Sequence, residues 1–486
     1  MDTETVLRKT GACLLLAFSL VALPPQAHGQ VWDATKFFRY DIENVTVAPT
    51  SPGTWTVKVI FSVADPTTGE TWDIKNARPF TSAGASLTLD IGWDPGTDFT
   101  NTGSANPLLS PVTTTTLGTG AAMPVQVRNL QTSGAARCTT SVECPGIASL
   151  TNRFWVARSV TPVAFAGQAA LGRVALEGKP VCNGVPGYAC PAAAPVPPVY
   201  QNIPVRSEVA SFAFAPADPL NAILRDSRGQ PADPRRQIVD IAKCRTCHDG
   251  KPHGDTVIPR LSLHGNNRTE NLGLCVACHN PNQTDVPYRY LTAGTAADPR
   301  IAGPEVPIDF KVMVHAIHAG GFRTNPYVVV GFNSSVNDFS TVRFPRELRD
   351  CTNCHIDANG KGTFELPLKS TVLGTTVKTQ SNYLAPPVTL DPLAFAPGTR
   401  VVNVNPFDDV KMSPTAAVCS SCHDKAEVKS HMVRTGGASF ATTQAAIGTT
   451  VRERCASCHG PGKDEDVRRA HEIGSGSGSS ARSHDD

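Results

Sequence analysis

The sequence predicts a multidomain fold, with an N-terminal all-β sandwich or barrel followed by a loop-rich domain of mainly short helices. Two observations carry that prediction. Between residue 31 and about residue 230, short runs of alternating apolar and polar residues recur between clusters of Gly, Pro, Thr and Asp. That is the rhythm of an antiparallel sandwich. After residue 236 the rhythm stops, and five copies of one short cysteine–histidine pattern take over. The 486 residues suffice for two or three domains. With 39 Gly and 40 Pro, much of the chain must be turn and loop.

The elements follow in order. Arg8 and Lys9 precede the apolar run Ala12–Leu23; Pro24, Pro25 and the small-residue end Ala27-His28-Gly29 come after it. This arrangement reads as a secretory signal over residues 1–29. The run is too short to span a bilayer; a buried N-terminal helix is the alternative. Cys13 opens the run rather than following it, so it is not placed to become a lipid-bearing N-terminus. The expectation is an exported chain: periplasmic, outer-surface or extracellular, and soluble without a lipid anchor. A formal net charge of +2 with no basic stripe gives no reason to expect nucleic acid as a partner.

Residues 30–235 form the expected β domain. Its strand-like runs are Thr54–Val63, Ser86–Trp93, Pro124–Arg128, Arg153–Ala157 and Val209–Phe214. Pro191–Pro198 is a Pro-rich loop, and Asp226–Pro234 reads as the linker to the second domain. Cys138 and Cys144, and Cys182 and Cys190, stand in C-x5-C and C-x7-C spacing with no histidine nearby. In an oxidising compartment two local disulfides are the simplest outcome. Cross-pairing between the two sets, or a redox-active bridge, are the alternatives.

Residues 236–473 carry the repeated pattern: C244-R-T-C-H248, C275-V-A-C-H279, C351-T-N-C-H355, C419-S-S-C-H423 and C455-A-S-C-H459. C-x-x-C-H is the attachment signature of c-type haem. Two thiols one short turn apart can each form a thioether to one porphyrin. The adjacent histidine then sits under the iron as proximal ligand. Cys244, Cys247, Cys275, Cys278, Cys351, Cys354, Cys419, Cys422, Cys455 and Cys458 are therefore the expected attachment points, and His248, His279, His355, His423 and His459 the proximal ligands. Zinc is the competing explanation, but it favours paired C-x-x-C units without a His after each one. The second half thus reads as a pentahaem cytochrome c domain, with short helices at the motifs. A small β excursion is expected within residues 363–415, and the Gly/Ser-rich tail 474–486 is expected to be disordered.

Of 13 histidines, five belong to the motifs, His28 to the signal and His484 to the tail. That leaves His253, His264, His315, His318, His431 and His471, six candidates for five distal positions. His315 and His318 are three apart on an amphipathic stretch, which puts both rings on one face of a helix. They are expected to serve two neighbouring haems; a polar pair on a surface helix is the alternative. Gly254 follows His253 as Gly265 follows His264, so those two are interchangeable at this point. An iron with an imidazole on both faces has no position for substrate and passes electrons. The motif spacing, short at the ends and long in the middle, suggests two outer haem pairs around a central one.

Several stretches resemble the OmcA/MtrC-type outer-surface multihaem c-type cytochromes. They are H-G-N-N-R-T-E-N (264–271) before C-V-A-C-H-N-P, then D-F-K-V-M-V-H-A-I-H (309–318) and S-P-T-A-A-V-C-S-S-C-H-D (413–424). H-M-V-R-T-G-G (431–437) and C-A-S-C-H-G-P-G-K (455–463) complete the haem half, and L-D-I-G-W-D-P-G-T-D-F-T-N (89–101) is similar in the first. The resemblance implies His264, His315, His318, His431 and His471 as distal ligands, with His253 left over. The family usually has ten haems in two β-plus-pentahaem halves, often on a lipid anchor. This chain carries one half and lacks the lipid cysteine. An edge that meets the other half in the family is therefore expected to be exposed here. It would face a partner cytochrome or a second copy of this chain in a homodimer.

The leading functional expectation is electron transfer rather than catalysis in a dedicated pocket. Its partners would be other cytochromes or an outer-membrane electron conduit, and an external acceptor such as a metal ion, mineral or shuttle molecule. The alternative is a multihaem reductase of a small oxyanion with one open haem. All five motifs end in His, which counts against it. A haem-to-haem filament is a third reading, without a clear assembly signal in the sequence.

Overall fold

A period of two along each strand organises the first half. In the computed structural model, strand β1 (Arg39–Ser51) pairs antiparallel with β2 (Thr54–Ala64). β2 turns Val57, Val59, Phe61 and Val63 into the main core. Its Ile60 faces the other way and is buried under the Cys138–Cys144 loop with Leu150 and Trp155. β3 (Ser86–Asp94) does the same, sending Leu87, Leu89, Ile91 and Trp93 into the main core. β4 (Val125–Val127), β5 (Ala136–Arg137), β6 (Phe154–Val160), β7 (Leu171–Lys179) and β8 (Glu208–Ala213) complete two antiparallel sheets. Their orders are β1-β2-β6-β5 and β8-β7-β3-β4. Residues from both sheets share one hydrophobic cluster, so the sheets stack as a sandwich.

The structure describes residues 33–94, 124–286 apart from 165, 166, 169, 254 and 255, residue 289, 298–379 apart from 332–334, 359 and 360, the pairs 382–383 and 401–402, and 409–473 apart from 444, 445, 448 and 449. The expected signal and the expected disordered tail lie outside them.

Two strands that the periodicity does not announce are β1 and β7. β1 is broken by a register shift between Ile42 and Asn44 and carries Asp41, Glu43 and Pro49. β7 lies between β8 and β3, yet it contains Gly172, Arg173, Glu177 and Gly178. Gly172 is required because the Phe212 ring of β8 occupies the space a Cβ would take. The polar side chains of β7 have a different cause: their face is covered by the second half of the chain. Cys138–Cys144 and Cys182–Cys190 are both disulfide-bonded, the local pairing of the two alternatives.

From residue 236 onward the elements are short. Helices α1 (Ile241–Arg245), α2 (Leu272–Cys278), α3 (Phe310–His318), α4 (Pro414–Cys419) and α5 (Ala426–Arg434) are joined by turns and two-residue strand pairs. Within the expected β excursion, Thr375–Lys378 and Val410–Met412 pair, and Thr442–Thr443 adds a third strand. Its middle lies largely outside the described residues. Apolar burial is meagre here. Two of the clusters hold only three buried residues each, Val312, Met412 and Ala417 in one and Ala416, Met432 and Ala438 in the other. No helix among the described residues is long and apolar enough to cross a membrane.

Candidate functional site

Each C-x-x-C-H stretch closes one helical turn. The histidine N–H donates to the carbonyl of the first cysteine at 2.8–2.9 Å in all five. Side chains start these turns where the chain enters them. Asp240 accepts from Ala242 N at 2.8 Å before the first motif, Asn271 from Gly273 N at 2.9 Å before the second, and Asp350 from Thr352 N at 3.0 Å before the third. None of the ten motif cysteines is disulfide-bonded, in contrast to the four of the sandwich. Burial pushes the Cys275 thiol up to about 11 and the Cys278 thiol up to about 12, so these two are uncharged.

The histidines converge in five pairs. Ring centroids lie 6.1 Å apart for His248 and His318, 5.9 Å for His264 and His279, and 6.0 Å for His315 and His355. They lie 6.0 Å apart for His423 and His471, and 6.2 Å for His431 and His459. Every pair joins one motif histidine to one of the other five. A metal–imidazole bond of about 2 Å, plus roughly 1.1 Å from nitrogen to ring centre, puts two axial rings about 6 Å apart across a single metal. Ring planes range from 9° to 87°, which axial ligands tolerate because each ring can turn about its bond. Of His253 only the backbone is described, in a two-residue strand with Pro252.

Hydrogen bonds set the tautomers. Nδ1–H donates to a backbone carbonyl in His248 (Pro259, 2.8 Å), His279 (Ile308, 3.0 Å), His459 (Glu465, 3.0 Å), His318 (Val314, 2.7 Å) and His471 (Val467, 2.9 Å). His355 Nδ1 donates to Thr363 Oγ1 at 3.0 Å, because that hydroxyl already donates to the Ile238 carbonyl at 2.6 Å. Nε2 is left as a free base in each, the arrangement of a metal-ligating histidine. Burial lowers His279 to about 4 and His264 and His355 to about 3, so these three rings are neutral. These features fit haem. A bare ion is less well served, since no group of three or more His, Cys, Asp or Glu among the described residues is arranged to hold one.

The five motifs, numbered here 1 to 5 along the chain, are also ordered in space. Cys244 lies within electrostatic reach of Cys354 and Cys275, Cys351 of Cys422, and Cys419 of Cys455. The neighbours therefore run 2–1–3–4–5. Polar clasps hold this order. Lys243 Nζ donates to the Thr352 and His355 carbonyls at 2.8 and 2.6 Å, tying motif 1 to motif 3. Arg468 pairs with Asp357 and Glu365 at 2.6 Å each, tying the His471 segment to motif 3. Glu453 accepts from Ser413 Oγ, Thr415 N and Ala416 N at 2.6–2.9 Å, capping α4 from the approach to motif 5. Lys243→Met removes two charge-assisted hydrogen bonds and is expected to cost about 2 kcal/mol. Urea unfolding of the holoprotein measures this, with wild type as reference. None of these clasps is visible as a motif, because their partners are backbone carbonyls or distant carboxylates.

The sandwich meets motif 2 through the outer face of its second sheet. Arg173 of β7 donates to Asp233 at 2.5 Å and to the Gly273 carbonyl at 3.2 Å. Arg268, four residues after His264, pairs with Glu177 at 2.6 Å. Gly178 N donates to the Asn267 carbonyl at 3.0 Å.

Residues 236–472 match the family described as outer membrane cytochrome MtrC/MtrF-like, domains II/IV. No curated protein matches the chain. Among solved structures, the outer membrane decaheme cytochrome OmcA is 17% identical with a TM-score of 0.34; the match covers 68% of this chain and 41% of that one. The matched segment is just under half of the chain and carries all five C-x-x-C-H stretches; in that half the chain is similar to the MtrC/MtrF-like outer membrane cytochromes.

Proposed function

We propose that residues 236–473 hold five c-type haems, each closed by two imidazoles, and that the chain carries electrons along the order 2–1–3–4–5. Residues 30–235 form the companion β domain. The observation that supports this reading is the set of five histidine pairs at 5.9–6.2 Å, one motif histidine in each. Bound haem supplies one-electron transfer at its iron. The protein's own residues do the rest. The cysteines tether, His248, His279, His355, His423 and His459 ligate from one side, and His318, His264, His315, His471 and His431 from the other, in that order. Thr363 and the carbonyls of Pro259, Ile308 and Glu465 keep each Nε2 available. α3 spans two sites, His318 serving motif 1 and His315 motif 3. Motifs 4 and 5 exchange partners, each receiving its distal ring from the segment that follows the other.

With both faces closed there is no position for substrate. The chain acts as a conductor, exported to the outer surface. It links partner cytochromes or an outer-membrane conduit to external acceptors. A haem edge left exposed on this half is the proposed docking edge, for a partner cytochrome or a second copy of this chain. Sedimentation that finds a strict monomer at high concentration removes the homodimer. The main experiment is intact mass with visible spectroscopy on purified holoprotein. Five covalent haems, low-spin spectra in both redox states and no carbon monoxide binding are expected. A smaller haem count or a high-spin band overturns the reading.

A further inference from the structure

The polar face of the second sheet buries more negative charge than it neutralises. Asp90 of β3 is 1% exposed and Glu177 of β7 is 3% exposed. The register places Thr88 opposite Glu177 and Asp90 opposite Ala175, so the two acids are diagonal neighbours on one face. Arg268 Nε and Nη2 donate to Glu177 at 2.6 and 3.3 Å, which satisfies that carboxylate. Among the described residues the Asp90 carboxyl has a single hydrogen-bond partner, Gln126 Nε2 of β4 donating to Oδ1 at 2.8 Å. Its Oδ2 is buried and has no partner among them. An ionised carboxylate is costly in that position, and a neutral carboxylic acid costs much less.

The cluster adjoins motif 2. Cys278 is within electrostatic reach of Arg268, Asp90 and Glu177, and Arg268 in turn of His264 and His279. The charged groups facing Asp90 are Glu177 from β7, Arg268 from the loop before α2 and Arg128 just beyond β4. Arg173, on the same face of β7, is engaged with Asp233. Burial and then Glu177 raise the Asp90 carboxyl to about 7, against the pull of Arg268, Gln126 and Arg128. Solvent is near, since Gln126 is half-buried and hydrogen-bonds to the exposed Arg128 at 2.8 Å.

We infer that Asp90 is a redox-linked proton site, taking up a proton when the neighbouring motif 2 centre takes up an electron. The inference rests on the proposed haem at motif 2, and the balance is simple. One electron arrives at the motif 2 centre and one proton leaves a solvent hydronium ion for Asp90 Oδ2; an O–H bond breaks in the solvent, one forms on the acid, and a water molecule is released. An added negative charge in a dry interface raises the proton affinity of the last unneutralised acid. By linkage, protonation raises the electron affinity by the same factor.

The test uses the five-haem holoprotein, verified first by intact mass. A count short of five fails the functional reading and is recognised before the inference is touched. Spectropotentiometry across neutral pH is expected to find one midpoint that falls as pH rises, by up to about 59 mV per tenfold change in proton activity. Asp90→Asn, which mimics the protonated acid and keeps a partner for Gln126, is expected to flatten that midpoint. Redox-difference infrared on the wild type reads the same event without a variant: a carboxylic C=O band gained on reduction, shifted in deuterated water. A pH dependence that persists in Asp90→Asn, for example from the buried Lys411 held by Asn282 and Thr376, overturns the inference. So does an infrared spectrum without the band.

Discussion

His315→Ala is expected to leave one iron per chain open. Its reduced holoprotein will bind one carbon monoxide, and about one fifth of the haem will turn high-spin. Helix α3 is nine residues long, and its last turn carries His315 and His318 three apart. On a helix that spacing puts both rings on one face. They nevertheless meet rings of different motifs, His355 and His248. The His315 and His355 rings are nearly parallel, 9° between their planes with centroids 6.0 Å apart. Motif 3 is the middle of the order 2–1–3–4–5, so the damage falls where both ends must communicate. Rapid-mixing reduction should become biphasic, with two haem groups filling separately. Added imidazole should restore the low-spin spectrum. A variant that stays wholly low-spin and refuses carbon monoxide would show that His315 is not a ligand.

Arg268→Met is expected to destabilise the chain by about 3–5 kcal/mol, the range for stripping one partner from a buried ion pair. Arg268 and Glu177 are 21% and 4% exposed as side chains, and Asp90 lies beside them. Without the guanidinium, two buried carboxyls face each other with Gln126 as the remaining donor to Asp90. The sign of the pH dependence follows. An acid whose folded value is raised contributes stability below its unfolded value, and that contribution is lost as pH rises through the folded value. In the wild type the Asp90 window therefore opens near its ordinary value of about 4 and closes near 7. Losing Arg268 removes a pull that lowers the Asp90 carboxyl, so the variant's deficit should shrink at pH 5 and be largest at pH 8. Urea unfolding at the two pH values measures it. Equal deficits at both would mean that the acids carry no unbalanced charge.

The two halves were legible to different degrees, for physical reasons. Thr54–Val63 and Ser86–Trp93 announce themselves because one face of each meets oil and the other does not. β7 does not announce itself. Its Arg173 and Glu177 are buried against the second half of the chain, so its polar face looks solvent-exposed when read alone. Gly172 reads as a breaker until the Phe212 ring above it is known. At the candidate site the motif cysteines and histidines are obvious, since attachment chemistry needs them adjacent. The clasps made by Lys243, Glu453, Arg268 and Arg468 leave no trace, because any lysine, arginine or glutamate looks the same before its partner is known.

The sequence by itself determined the five C-x-x-C-H stretches, their haem-attachment pattern and the small set of other histidines available to pair with them. Those are local matters of bonding, settled within five residues of chain. Only the tertiary structure decided which ring faces which motif, the order in which the motifs neighbour one another, and the burial of Asp90 with one oxygen unanswered. Each of these is a contact between residues far apart in the chain, made by backbone carbonyls and charged groups whose meaning depends on what lies opposite them.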